Sequence, residues 1–236
     1  MITQLPLKFN LLDNSTFSNF FLSPVNQQLL YALKNFVDLN NNQEMFFYLW
    51  GGKEVGKTHL LQACCSMALE KNIPAIYVSL SNLLINTNKI NIDFFDGLEN
   101  LSLLCLDDLH LIENSKFEEK LFYLFNNLRA KQHKLIVAAD CAPNGLKLQL
   151  PDLKSRMTWG VTYCLQGLTE QEKITALMMR AEQIGLQLIE PVANFLLARV
   201  SRSTGQLFDI LENLDNASLA AKRKLTIPFI KEVLGL

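Results

Sequence analysis

Residues 51–58 read Gly-Gly-Lys-Glu-Val-Gly-Lys-Thr, which satisfies the spacing G-x-x-x-x-G-K-[ST]. The short apolar and aromatic run 45–50 leads straight into it. Residues 57–71 follow, with Leu60, Leu61, Cys64, Met67 and Ala68 at helical spacing. Strand, glycine loop and helix in immediate succession form a phosphate-binding unit. Gly51 and Gly56 let the backbone turn its N–H groups inward around a polyphosphate, and Lys57 places a point charge against the outer phosphates. The Thr58 hydroxyl suits magnesium, and the helix start adds the positive end of its dipole. On this reading Gly51, Gly52, Lys53, Glu54, Val55, Gly56, Lys57, Thr58 and His59 line a nucleotide site.

The alternation continues along the chain. Residues 75–80, 101–106, 135–139 and 161–165 are further strand candidates, and residues 117–129 carry Leu121, Leu124, Phe125 and Leu128 on one helical face. Continuous apolar strands between helices predict an α/β fold, a parallel sheet flanked on both faces by helices, with Phe46, Phe47, Tyr48 and Trp50 in its core. Beyond Gly167 only helical periodicity remains. Thr169 to Glu172 has the form of an N-cap with an acidic first turn, and helices are predicted at 169–184, 190–202, 204–223 and 227–234. The expected organisation is a tail at 1–13, an α/β nucleotide-binding domain at 14–167 and a small all-α lid at 168–236.

A phosphate loop needs an acid at the end of a neighbouring strand, and Leu103-Leu104-Cys105-Leu106-Asp107-Asp108 supplies a Walker B arrangement. Asp107 would hold the metal with Thr58, and Asp108 could polarise the attacking water as a general base; the plainer alternative is that both acids cap the next helix. Lys plus Arg number 22 against 23 Asp plus Glu, a net charge of -1, so no global positive field draws the chain onto duplex DNA or anionic lipid. The 5 cysteines lack paired spacing and read as buried, reduced thiols, and the 3 histidines lack ligand spacing. With no signal-peptide pattern and no apolar run of about 20 residues, a cytoplasmic protein without membrane contact is expected.

These motifs together resemble the AAA+ ATPases, and within them the DnaA family of bacterial replication initiators. Thr16-Phe17-Ser18-Asn19-Phe20 with Asn26-Gln27 resembles the segment that helps hold adenine there; Asp107-Asp108-Leu109-His110 resembles its Walker B form; and residues 153–160, Leu-Lys-Ser-Arg-Met-Thr-Trp-Gly, are similar to the stretch bearing the arginine finger. The sequence ends without the helix-turn-helix domain of DnaA, which resembles the short Hda-type homologues that regulate the initiator. Gln4, Leu5, Leu7 and Phe9 resemble the peptide by which proteins attach to the sliding clamp (beta subunit) of DNA polymerase III.

The resemblance implies an AAA+ fold holding ADP (or ATP) with Mg2+, with DnaA and the clamp as partners and DNA reached only indirectly through the clamp. Arg156 would complete the ATP site of DnaA and trigger hydrolysis there, inhibiting re-initiation; as a bare residue, without the resemblance, it reads first as a surface ion pair at a helix end. AAA+ subunits share nucleotide between neighbours, so a homo-oligomer is also open. Two positions depart from the family pattern. Gly205 stands where a sensor arginine is expected, with Arg202 nearby as a substitute, and Asp140 stands at the other sensor position. Weak intrinsic hydrolysis follows, and whether the chain is itself an enzyme stays open. The competing readings are a stand-alone AAA+ ATPase or loader using Lys57, Asp107 and Asp108, and a DnaA-like replication initiation factor. Lys222-Arg223-Lys224 reads as a solvated helix end.

Overall fold

Strands β1 (Phe46–Trp50), β2 (Ala75–Ser79), β3 (Leu103–Asp107), β4 (Lys134–Ala139) and β5 (Val161–Cys164) pair in the order β2-β3-β4-β1-β5, every pairing parallel. The computed structural model describes residues 15–38, 44–86, 92–112, 117–200 and 203–235. Gln4, Leu5, Leu7 and Phe9 of the clamp-like peptide, and Arg202, lie outside the described residues. Contacts divide the chain into two units, one of Met1–Phe20, Val25–Lys53 and Lys57–Gln166, the other of Phe21–Pro24, Glu54–Gly56 and Gly167–Leu236.

In the first unit β3 and β4 are buried throughout and β1 along all but Trp50, as their unbroken apolar runs dictate for strands covered on both faces. The edge strand β5 alternates between half-buried and exposed positions, since only one face and one edge of it are covered. That corrects the reading of five buried cysteines: Cys64, Cys65 and Cys105 are buried, Cys141 is half-buried and Cys164 is exposed. Trp50 is likewise only partly buried, packed against the core from the end of its strand.

Helix α2 (Lys57–Glu70) leaves β1, crosses β4 and packs on β3 before the chain reaches β2. Helix α1 (Gln27–Val37), which sequence reasoning leaves unassigned, buries Leu29, Leu30, Leu33, Phe36 and Val37. Its last carbonyls are anchored by the buried Lys134, whose Nζ donates to Phe36 O at 2.6 Å and Asp38 O at 3.3 Å. The short helix α3 (Leu80–Asn86) follows β2. Helix α4 (Phe117–Ala130) buries the expected stripe, Leu121, Leu124, Phe125 and Leu128. Helix α5 (Pro151–Met157) starts on proline, and the 4%-exposed Glu118 of α4 accepts from the N–H groups of Gln149 and Leu150 at 2.9 and 2.8 Å just before it.

The second unit contains α6 (Glu170–Gln183), α7 (Glu190–Arg199), α8 (Thr204–Ala221) and α9 (Ile227–Leu234) around Ile174, Leu177, Val192, Leu196, Leu207, Leu211, Leu214 and Ile230. Helix α6 begins with a capping box: Glu172 N–H donates to Thr169 Oγ1 at 3.3 Å and Thr169 N–H donates to the Glu172 carboxylate at 2.8 Å. Ser23 adds a bond of 2.5 Å to the same carboxylate, and this hydrogen bond, with those from Thr169, holds the Glu172 carboxyl below its usual range. Met178 packs on the lid core, as a structural rather than cofactor-binding residue does.

Candidate functional site

Because all strands are parallel, their carboxyl ends share one edge of the sheet, the edge where open α/β sheets place ligands. The phosphate loop leaves β1 at this edge. Its turn is made by left-handed backbone at Glu54 (φ 60°) and Gly56 (φ 105°), whereas Gly51 keeps a negative φ. The fourth and sixth loop positions, not the first glycine, therefore carry the left-handed conformation. Lys57 Nζ donates to Gly51 O at 2.8 Å and to Gly52 O at 2.6 Å, which lays the ammonium along the inside of the loop. Burial lowers the Lys57 pKa, opposed by the carboxylates of Asp107, Asp108 and Asp140.

Asp107 ends β3 and is 1% exposed. Thr58 Oγ1 donates to its Oδ2 at 2.6 Å, Tyr77 Oη donates to the same oxygen at 3.0 Å, and Asp108 N–H donates to Oδ1 at 2.9 Å. Burial raises the Asp107 pKa, with Asp108 adding to the effect and the hydrogen bonds from Thr58, Tyr77 and the Asp108 amide opposing it. Burial and the neighbouring carboxylate push the Tyr77 phenol up, so it stays a donor. Asp108 adopts left-handed backbone (φ 60°), a conformation aspartate tolerates, and so turns the chain away at the end of the strand.

The spacing of Thr58 and Asp107, drawn together by the course of α2, yields a hydroxyl and a carboxylate side by side. This hard-oxygen pair fits magnesium, which one or two carboxylates hold together with substrate phosphates rather than an all-protein cage. No group of three or more His, Cys, Asp or Glu residues among the described residues forms such a cage.

The other predicted positions take these places. His59 Nε2 lies 2.9 Å from Thr16 O and its ring centroid 5.3 Å from that of Phe20, so the helix start and the segment 16–20 meet. The Asn26 side chain donates to Gln166 O at 2.9 Å and accepts from Gln166 N–H at 3.1 Å, which ties the start of α1 to the exit of β5. Asp140 faces His110, with Oδ1 3.6 Å from Nδ1. Gly205 lies exposed in the first turn of α8. Tyr77 is the residue sequence reasoning missed. It stands in an apolar strand that gives no polar signal, and only the β2–β3 register, Ser79 opposite Asp107, shows that it is a diagonal neighbour of that acid.

Arg156 lies near the end of α5, its Nε donating to Asn126 Oδ1 at 3.3 Å and its guanidinium 4.1 Å from the Trp159 ring centroid and 5.4 Å from that of Phe122. Arg129 lies over the same indole at 4.8 Å. The neighbouring Gly160 (φ 81°) passes so close to β1 that a Cβ there would stand 2.3 Å from Phe46 O. Phe46 opens β1 and Phe47 pairs with Val161, so this corner sits where the strands begin. The phosphate loop sits where they end, roughly 13 Å away along a five-residue strand.

Residues 11–164 match the family model of the bacterial DnaA ATPase domain. The chain belongs to that family. Residues 170–234 match the lid domain of Hda, and the pairing supports a DnaA-related replication regulator. An uncharacterized protein of Haemophilus influenzae is 43% identical to this DnaA-family chain over 239 residues, covering 100% of both. Among solved structures, domain III of Thermotoga maritima DnaA superposes with a TM-score of 0.79 at 21% identity, covering 94% of this chain and 96% of that one. AMPPCP-bound DnaA from Aquifex aeolicus gives 0.70 at 22% identity over 89% of this chain and 68% of that one. The Thermotoga maritima RuvB branch-migration motor gives 0.67 at 16% identity over 95% and 72%. The shared architecture is the AAA+ one, a parallel sheet between helices followed by a helical lid. No helix among the described residues is long and apolar enough to cross a membrane.

Proposed function

We propose that the chain is a nucleotide-holding switch that stimulates hydrolysis of ATP bound to DnaA, and so restrains re-initiation of replication. The observation that carries this reading is the placement of Arg156 at the sheet edge opposite the phosphate loop. A finger there serves nucleotide held by a neighbouring molecule rather than the chain's own. Adenine nucleotide, as in the AMPPCP-bound DnaA relative, would lie against residues 51–59, and Thr58 and Asp107 would hold Mg2+ there. When bound, Mg2+ neutralises phosphate charge; the chain's part is to turn amides and Lys57 toward the phosphates and to hold Asp107 beside Thr58. ADP is the favoured resident because Gly205 offers no sensor arginine to the phosphates, which makes nucleotide a conformational cofactor. Gln4, Leu5, Leu7 and Phe9 would tether the protein to the sliding clamp, and through the clamp to DNA, in the cytoplasm.

Arg156 is held by a hydrogen bond and by aromatic faces, a pre-ordered guanidinium that suits stabilising charge in a phosphoryl-transfer transition state. The test is single-turnover hydrolysis of ATP pre-bound to DnaA, with this protein and DNA-loaded clamp added. Arg156→Ala should lose the stimulation by about three orders of magnitude, whereas undiminished hydrolysis would remove the finger assignment. Deleting residues 1–9 should abolish only the clamp-dependent part. Steady ATP turnover by the isolated protein would favour the reading as a stand-alone ATPase, for which Lys57, Asp107 and Asp108 suffice.

A further inference from the structure

Asp107 receives more than a phosphate site of this kind requires. Thr58 alone would join loop to acid, yet a second hydroxyl reaches the same Oδ2, from Tyr77 on the adjacent strand at 3.0 Å. Tyr77 is 7% exposed, and a phenylalanine would fill the same volume. The hydroxyl is thus a buried polar group that donates to the acid, with the Ser79 hydroxyl as a further hydrogen-bond neighbour. The two donors differ in footing. Thr58 rides on the first turn of α2, next to a loop that must accept ligand, while Tyr77 is fixed by the β2–β3 ladder, one pleat behind the residue paired with Asp107. With Oδ1 taken by the Asp108 amide at 2.9 Å, the carboxylate plane is defined at both oxygens from the sheet side.

We infer that Tyr77 is a positioning residue of the metal–nucleotide site, its phenol fixing the orientation of the Asp107 carboxylate that, with Thr58, would hold a divalent cation. The inference rests on the phosphate-loop reading above. Partners one step removed from a ligating group typically alter metal affinity by 10–100-fold, while phosphate contacts from the loop amides and Lys57 do not pass through Tyr77.

The experiment is calorimetric titration of the full chain with ADP, in EDTA and across a Mg2+ series, for wild type and Tyr77→Phe. Tyr77→Phe should need about tenfold more Mg2+ to reach half of the Mg2+-dependent gain in ADP affinity, with affinity in EDTA equal to wild type. A Mg2+ dependence identical to wild type would overturn the inference alone. Equal weakening with and without Mg2+ would also overturn it, by reducing Tyr77 to a packing role. Wild type that binds ADP without any Mg2+ dependence would remove the metal-site reading and this inference with it. A double-mutant cycle guards against nonspecific loss: in an Asp107→Asn background, Tyr77→Phe should leave the Mg2+ series unchanged, and additive effects would reject the coupling.

Discussion

Gly205 has nothing nearer than Ser203 Oγ, 4.0 Å from where a Cβ would stand, and its backbone is helical. Glycine there costs chain entropy without meeting any steric need, so Gly205→Ala should stabilise the lid by about 0.5–1 kcal/mol, read as a rise in the urea midpoint. A loss of stability would mean that the position depends on the bare backbone. The opposite holds for the carboxylates. Glu118 resembles any surface acid of an amphipathic helix in the sequence, yet it is buried and accepts two backbone N–H bonds at the approach to α5. Tyr77 resembles any core aromatic, yet it bonds Asp107. Residues whose role is set by a non-local partner leave no local pattern. The phosphate loop is legible because its spacing is itself the chemistry.

At the scale of elements, the corner from α5 to β5 shows how one backbone approach sets the place of the Arg156 side chain. Gly160 combines left-handed backbone with an approach to Phe46 O that a methyl group cannot share. Gly160→Ala should cost about 3 kcal/mol and separate β5 from β1, and the adjacent Trp159, now stacked under Arg156 and Arg129, should report it. Thermal melting and indole fluorescence measure both effects; a variant with wild-type melting would contradict the clash. All five strands are readable from their apolar runs, with ends differing by a residue or two where pairing stops. Helix α1 is not. Its N-cap residue Asn26 is of a type that favours helix starts, but its amide is committed to Gln166 and makes no cap bond.

For the whole molecule, nucleotide should act as a stabilising ligand. Mg2+·ADP at about a hundredfold over its dissociation constant adds about 2.7 kcal/mol to a binding-competent native state, and a chain of 236 residues should then melt roughly 5–10 °C higher. Lys57→Ala should erase most of that shift, since it removes the ammonium that lies against Gly51 O and Gly52 O along the inside of the loop. An unchanged melting curve for wild type under saturating Mg2+·ADP would end the nucleotide reading.

Local order was enough to disclose what the chain is made of. Periodicity of two kinds marks a sheet and a helical lid, and one eight-residue spacing marks a phosphate loop, because both depend on residues that are neighbours in sequence. The tertiary structure alone decided which distant groups meet. Strand order and the path of α2 bring Thr58, Tyr77 and Asp107 to one point, and the parallel sense of β1 and β5 sends Arg156 to the far edge of the sheet. Those are matters of strand register and packing, in which segments tens of residues apart compete for the same space, and no window along the sequence contains both competitors.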